Sequence, residues 1–236
     1  APDLERLRGR DVYLVDFSYK RAILESILNI ANSVLILDHH KTAEADLAGI
    51  EGPKCHCIFD MNKSGSLIAW EYFFPDSPAP PIVSYVSDRD LWRFALPGTR
   101  EFHAACGLQP LTLEAREALS KQDPTHLIEQ GRIVLQYHDK LVAEAAKHRP
   151  TRVVAGHEVP FVYCPNKSLI SDLGNVLCKG KPFACVAVLH ADDTVAVSLR
   201  SEEGGVDVSA VAELFGGGGH KHAAGFTVDV GECLLT

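Results

Sequence analysis

No stretch of this chain approaches the ~20 consecutive apolar residues of a membrane-spanning helix. No basic-then-apolar leader stands at its start either, so the expectation is a cytoplasmic protein with no membrane partner. Positive charge is scarce: 23 Lys and Arg face 31 Asp and Glu, leaving a net charge of −8. Broad binding to duplex nucleic acid needs clustered cations to neutralise phosphates, and this balance argues against it. A carboxylate pocket that gathers divalent cations suits the balance well. A disulfide framework is missing as well, because the seven cysteines are odd in number and scattered, as reduced thiols would be. Cys55-His56-Cys57 gives no convincing zinc site: three successive donors on a strand cannot all face one ion, and no second pair is spaced to help.

What is present is an apolar 46% of 236 residues, enough for one large or two modest domains with real cores. The stretch around which the rest is organised is Val34-Leu35-Ile36-Leu37 followed by Asp38-His39-His40. Four apolar residues in a row fit a buried parallel strand, and the carboxyl end of such a strand is where open α/β sheets bind ligands. Asp11 to Asp16 repeats the design, a short β-rich run ending in an acid. Between the two runs, Ile23, Leu24, Ile27, Leu28 and Ile30 have helical spacing. A β-α-β unit makes the strands parallel and puts Asp16 beside Asp38, His39 and His40. Hard oxygen donors with imidazole favour Mn or Mg over a thiolate-type zinc site. A third apolar run, Ile82 to Ser87, leads into Asp88-Arg89-Asp90 and is expected to be a third strand ending in acids.

From Leu111 to Lys147 the pattern is helical with a break at Asp123-Pro124, and the basic end Lys147-His148-Arg149 followed by Pro150 marks a boundary. The expected organisation is a domain over 1–125, a linker helix over 126–149 and a second domain over 150–236. In the second domain, Thr194 to Ser201 reads as a strand that carries Ser198 and Arg200 near its end. Gly216-Gly217-Gly218-Gly219-His220 follows a helix near 208–214. Four glycines in a row are costly in any regular element, and their expected use is an anion nest of unobstructed N–H groups.

Val15-Asp16, Leu37-Asp38-His39-His40, Ser87-Asp88-Arg89-Asp90 and the final Gly216 to His220 together resemble the DHH phosphoesterases that carry a DHH-associated domain. That group contains RecJ-like exonucleases, nano-RNases, phosphatases of 3'-phosphoadenosine 5'-phosphate and cyclic-dinucleotide phosphodiesterases. The resemblance implies an α/β protein, with a parallel-sheet DHH domain joined by a helical linker to a smaller α/β DHH-associated domain. It implies a two-Mn, in-line phosphoesterase, with Mg as the alternative ion, acting on short single-stranded oligonucleotides or small nucleotide phosphates. A homodimer is compatible with it. Asp16 would bridge two Mn ions, His39 would ligate the second, and either Asp88 or Asp90 would complete that ion. His40 would act near the substrate phosphate and Asp38 would orient the histidines. Arg200, Ser198, His220 and the backbone of Gly216, Gly217, Gly218 and Gly219 would hold the far end of the substrate. The family's first motif, a His-x-Asp-x-Asp stretch, would precede Asp16, and no histidine stands among the fifteen residues before it. The expectation is therefore an N-terminally incomplete DHH domain belonging to a longer protein. The rival expectation is a catalytically silent nucleotide- or phosphate-binding module.

Overall fold

The computed structural model describes residues 2–231, so Ala1 and the last five residues of the expected 150–236 domain lie outside the described residues. The chain forms two compact units, one ending at Gln136 and the other starting at Tyr137.

The first unit begins with a single helical turn, α1 (Leu4–Leu7), and then alternates β1 (Asp11–Val15), α2 (Arg21–Leu28), β2 (Ser33–Asp38), α3 (Lys41–Asp46) and β3 (Cys55–Phe59). The three strands are parallel in the order β1-β2-β3, with Tyr13 opposite Leu35 and Leu35 opposite His56. One face of the sheet takes Leu24 and Ile27 of α2 against Leu14, Val34 and Ile36. The other face takes Ile68 of α4 (Gly65–Phe73) against Leu35 and Leu37. With both faces of β2 covered, its residues have no reason to alternate, which is why the strand is an unbroken apolar run. The β-α-β unit read from the sequence is thus present, and Asp16 and Asp38 both fall at the carboxyl edge of the sheet.

Helices fill the rest of this unit: α5 (Pro81–Asp90), α6 (Thr99–Cys106), α7 (Leu113–Ser120) and the first half of α8 (Pro124–Ala145). The expected third strand over Ile82 to Ser87 is instead the body of α5. Pro81 sits at the start of that helix, where its missing N–H costs nothing. Ile82 and Tyr85, three residues apart, both pack on the cluster of Phe102, Leu119 and Leu127, and the Tyr85 ring stacks on Phe102 at 4.4 Å. Packing at helical spacing has overridden the β-branched composition. Asp88 and Asp90 therefore lie in the last turn of a helix. Helix α8 starts after Asp123, whose side chain accepts from Thr125 N at 2.9 Å. It passes α6 so closely that a side-chain carbon at Gly131 would overlap the Glu101 carbonyl.

The second unit holds a six-stranded sheet in the order β4-β5-β6-β7-β9-β8. Its elements are β4 (Thr151–Val154), β5 (His157–Tyr163), α9 (Ile170–Leu177), β6 (Ala184–Leu189), β7 (Thr194–Arg200), α10 (Val208–Glu213), β8 (Gly218–His220) and β9 (Ala223–Asp229). One face packs on α9 and the end of α8 through Val142, Ala146, Leu173, Leu177 and Val186. The opposite face packs on α10 through Val197, Leu199, Val208, Val211 and Phe226. Inward Val195, Val197 and Leu199 of β7 face α10, so Ser198 and Arg200 face the α9 side. No helix among the described residues is long and apolar enough to cross a membrane.

Candidate metal centre

Asp16 ends β1 with a left-handed backbone, φ 58°, a conformation that an aspartate tolerates better than most residues. Its amide donates to Leu37 O at 2.9 Å, which ties it to the neighbouring strand end. Gly65, the first residue of α4, packs directly beneath it: a side-chain carbon there would lie 2.5 Å from Asp16 Cβ and Oδ1. The α4 N-terminus is capped by Ser64, whose hydroxyl accepts from Leu67 N at 3.3 Å, and its positive end faces the Asp16 carboxylate.

His39 is buried, and its Nε2 lies 3.1 Å from Asp16 Oδ1 and 3.3 Å from Asp90 Oδ2. The three ligand atoms all fall within 4.8 Å of one another. Desolvation holds the Asp90 carboxyl above its ordinary value although its side chain reaches the rim of the site; the charge of Asp16 adds to the rise, while His39, His40 and Arg89 oppose it. An acid in the last turn of a helix also meets the negative end of the dipole. Both effects disfavour a bare charge on Asp90, and a cation beside it would offset them.

The two acids left open by the sequence are thus separated in space. Asp88 accepts from Ala95 N at 2.9 Å, from Leu96 N at 3.1 Å and from Thr99 Oγ1 at 2.5 Å. Burial alone would raise its pKa, but these donors prevail and hold the carboxyl below the ordinary range. Asp88 fixes the loop between α5 and α6 and belongs to none of the three-donor groups found among the described residues.

Asp38 is fully buried and serves as a hub. Its Oδ1 accepts from His39 N at 2.7 Å and lies 2.7 Å from His40 Nδ1, and its Oδ2 accepts from Ser18 Oγ at 2.5 Å. Burial pushes against ionisation here too, and the His40 and Ser18 hydrogen bonds, with the His40 charge and the His39 amide, outweigh it. The bond to Asp38 in turn raises the His40 pKa against its own desolvation, with Asp38, Asp16 and Asp90 adding attraction. Nδ1 of His40 is therefore the donor to the Asp38 carboxylate. Sequence reading missed Ser18 and Gly65. The only trace of either was its place in a turn or at a helix start.

Cys55 and Cys57 face the same side of β3, with their sulfurs 3.9 Å apart, while His56 pairs with Glu51 at 3.4 Å. Burial pushes the Cys57 thiol up to about 12, which makes it a poor thiolate ligand.

In the second unit, register places Arg200, Ala223 and His220 in one cross-strand row, and Ser198, Gly225 and Gly218 in the next. Cross-strand partners share a face of the sheet, so Arg200 and His220 flank Ala223 above a floor of small residues. Arg200 is braced from α9: its Nη2 donates to Ser171 Oγ at 3.0 Å, its Nη1 to Leu199 O at 2.9 Å, and its stem crosses Gly174, where a side-chain carbon would meet Arg200 Cγ at 2.7 Å. Two of the four glycine amides expected to form a nest are taken by the chain itself. Gly216, with φ 76°, and Gly217 close α10 by donating to Glu213 O at 3.0 Å and Ala212 O at 2.9 Å. Gly218 and Gly219 enter β8 and pair with Gly225 and Ala224 of β9. The close approach that the glycines allow is made to their own sheet, since a side chain at Gly217 would overlap the Gly225 carbonyl.

Residues 170–234 match the DHHA1 domain family. An uncharacterized protein of Acanthamoeba polyphaga mimivirus is 38% identical over 231 residues, covering 94% of this chain and 54% of the viral protein. The chain thus spans about half the length of that curated relative. Among solved structures, the DHH domain of a member of a family of ribosomal proteins matches with a TM-score of 0.55 at 12% identity, over 95% of this chain and 67% of that one. RecJ from Thermus thermophilus, solved in complex with Mn2+, matches with a TM-score of 0.48 at 16% identity, over 98% of this chain and 43% of that one.

Proposed function

We propose, on the premise that the chain belongs to the DHH family and carries a DHHA1 domain over residues 170–234, that it is a metal-dependent phosphoesterase. Its substrates in this reading are short oligonucleotides or small nucleotide phosphates. The observation that carries the reading is the convergence of Asp16, His39 and Asp90 at the carboxyl edge of the parallel sheet, with donor atoms within 4.8 Å. Two carboxylates and one imidazole, with no thiolate, suit Mn or Mg. Asp16 also stands within the same reach of Asp38 and His40, which supports its being shared between two ions. The carboxylate of Asp38 is already held by Ser18 and His40, so its part is to orient.

A divalent ion at these donors would activate water and offset charge on the phosphoryl oxygens. His40, whose protonated form Asp38 favours, would donate a proton or hydrogen bond to the phosphoryl or leaving oxygen. In the second unit, Arg200, braced by Ser171, would grip a nucleotide phosphate in a bidentate fork, with Ser198 and His220 beside it. Asp88 is assigned to holding the loop and Asp90 to the ion.

The test is Mn2+ binding by calorimetry and hydrolysis of a 5'-phosphorylated dinucleotide, measured on this chain and on the longer gene product. Asp16→Ala and His39→Ala should each abolish both while leaving the melting curve intact. Turnover that survives thorough chelation would sink the reading. The second reading, a silent phosphate-binding module, draws on the fact that each group supplies three protein donors among the described residues. It predicts dinucleotide binding that depends on Arg200 with no hydrolysis in either form.

A further inference from the structure

The loop beside the metal centre carries a feature that this reading leaves unused. Arg89 precedes Asp90 in the last turn of α5, and its guanidinium carbon lies 4.1 Å from the Trp92 ring centroid and 5.4 Å from that of Phe94. Trp92 and Phe94 meet edge to face at 5.0 Å. Both have left-handed backbones, φ 57° and 50°, which is a genuine outlier for bulky side chains. Such strain persists only where the surroundings over-determine it, and it clusters at functional sites.

The surroundings here do over-determine it. The Asp88 carboxylate takes the amides of Ala95 and Leu96 and the Thr99 hydroxyl. Arg93 N donates to Asp88 O at 2.9 Å, and Arg93 Nη2 donates to Asn62 O at 2.8 Å. Trp92 is nonetheless 38% exposed, so the stack is not a core contact that the fold needs for burial. A guanidinium held against aromatic rings remains a donor to an anion, because its N–H groups lie in its plane and are directed to its rim.

We propose that Arg89, laid against Trp92 and Phe94, is a phosphate-gripping residue for the phosphoester that reacts at Asp16, His39 and Asp90. The aromatic pair is the bracket that holds it at the site, and Asp88 is the clamp that holds the bracket. This rests on the phosphoesterase reading, and the placement supports it twice. Arg89 adjoins Asp90 in the last turn of α5, so one helix end carries both the ion-facing acid and the guanidinium. An aromatic shelf pre-orients the guanidinium, so less freedom is lost when an anion arrives.

The chain has two tryptophans, and a Trp70→Phe background leaves Trp92 as the only one. That chain, loaded with Mn2+, is titrated with a dinucleoside phosphonate, which cannot be hydrolysed, while Trp92 fluorescence is followed. A saturable change is expected. Arg89→Lys and Arg89→Ala should each weaken binding about tenfold or more, the scale of a lost charge-assisted hydrogen bond, with unchanged melting. Calorimetry on Trp92→Phe should recover most of the affinity that Trp92→Ala loses, because a phenyl face still supports the guanidinium. Binding that is lost in Asp16→Ala but unchanged in both Arg89 variants overturns this proposal alone. Failure of the unmodified chain to bind the phosphonate overturns the phosphoesterase reading and this proposal with it.

Discussion

Thr99 Oγ1 donates to Asp88 Oδ2 at 2.5 Å across a separation of eleven residues. Through that bond the start of α6 is locked to the end of α5, and an acid two residues from Asp90 is taken up by structure. The two acids should therefore fail differently. Asp88→Ala is expected to destabilise the fold by about 2–4 kcal/mol, since three donors lose a buried acceptor. Asp90→Asn should leave melting within about 0.5 kcal/mol of the parent in the presence of chelator, and abolish Mn2+ binding. Thermal melting with and without Mn2+, run on both variants, separates the roles. Equal metal affinity in Asp90→Asn and the parent would remove Asp90 from the site.

Gly65 is the second test of the centre. A methyl group there would fall 2.5 Å from Asp16 Cβ and Oδ1, so either α4 or Asp16 must shift. Gly65→Ala is expected to cost about 1–3 kcal/mol as an overpacking change and to weaken Mn2+ binding. An unaltered metal titration in the folded variant would show that Asp16 is not held where the ion binds.

Arg200 is tested through its neighbours as well as directly. Gly174→Ala places a carbon 2.7 Å from Arg200 Cγ and must displace its stem, while Ser171→Ala removes the acceptor of Nη2. Both, like Arg200→Lys, should weaken dinucleotide binding by about 1–3 kcal/mol, and weaken inorganic phosphate binding less. Titration of all three folded variants decides the matter. Dinucleotide affinities equal to that of the parent would make this corner of the sheet structural.

Gly217 has a purely architectural forecast. Its amide completes the cap of α10, and a side chain would strike the Gly225 carbonyl. Gly217→Val should lower stability by about 2–4 kcal/mol, whether or not a nucleotide is present. Denaturant unfolding with and without dinucleotide would expose a mistake: a small loss of stability with a large loss of binding would return the glycine run to a direct role with substrate.

The β1-α2-β2 unit was legible because burial on both faces of β2 leaves an apolar run that no other element imitates. The cluster at its edge was legible for the same reason, since residues that end parallel strands must be neighbours. Helix α5 was misread because Ile82, Val83 and Val86 carry strand-like composition. What makes the segment helical is Tyr85 against Phe102, a partner that the local sequence does not display. The choice between Asp88 and Asp90 stayed open for a related reason: two residues along a helix turn the side chain through about 200°, and only the loop that returns to Thr99 tells which one is consumed. The glycine run was read correctly as a site of close approach. The approach of Gly217 to Gly225 of its own sheet was not legible, because it requires strand register.

The crowding of Asp16 and Asp90 around the Nε2 of His39 has a thermodynamic corollary. Two like charges gathered on one buried ring are a debt in the folded state that any cation bound there cancels, and the unfolded chain, with these residues dispersed, would have no comparable affinity. Stability then becomes a function of divalent-ion activity, rising by RT ln(1 + [M]/Kd), or about 1.4 kcal/mol for each tenfold excess over Kd. The unfolding temperature would act as a gauge of free metal. In a compartment where that activity falls, the α5 terminus and the β1 and β2 ends would be the first parts of the protein to open to exchange with solvent.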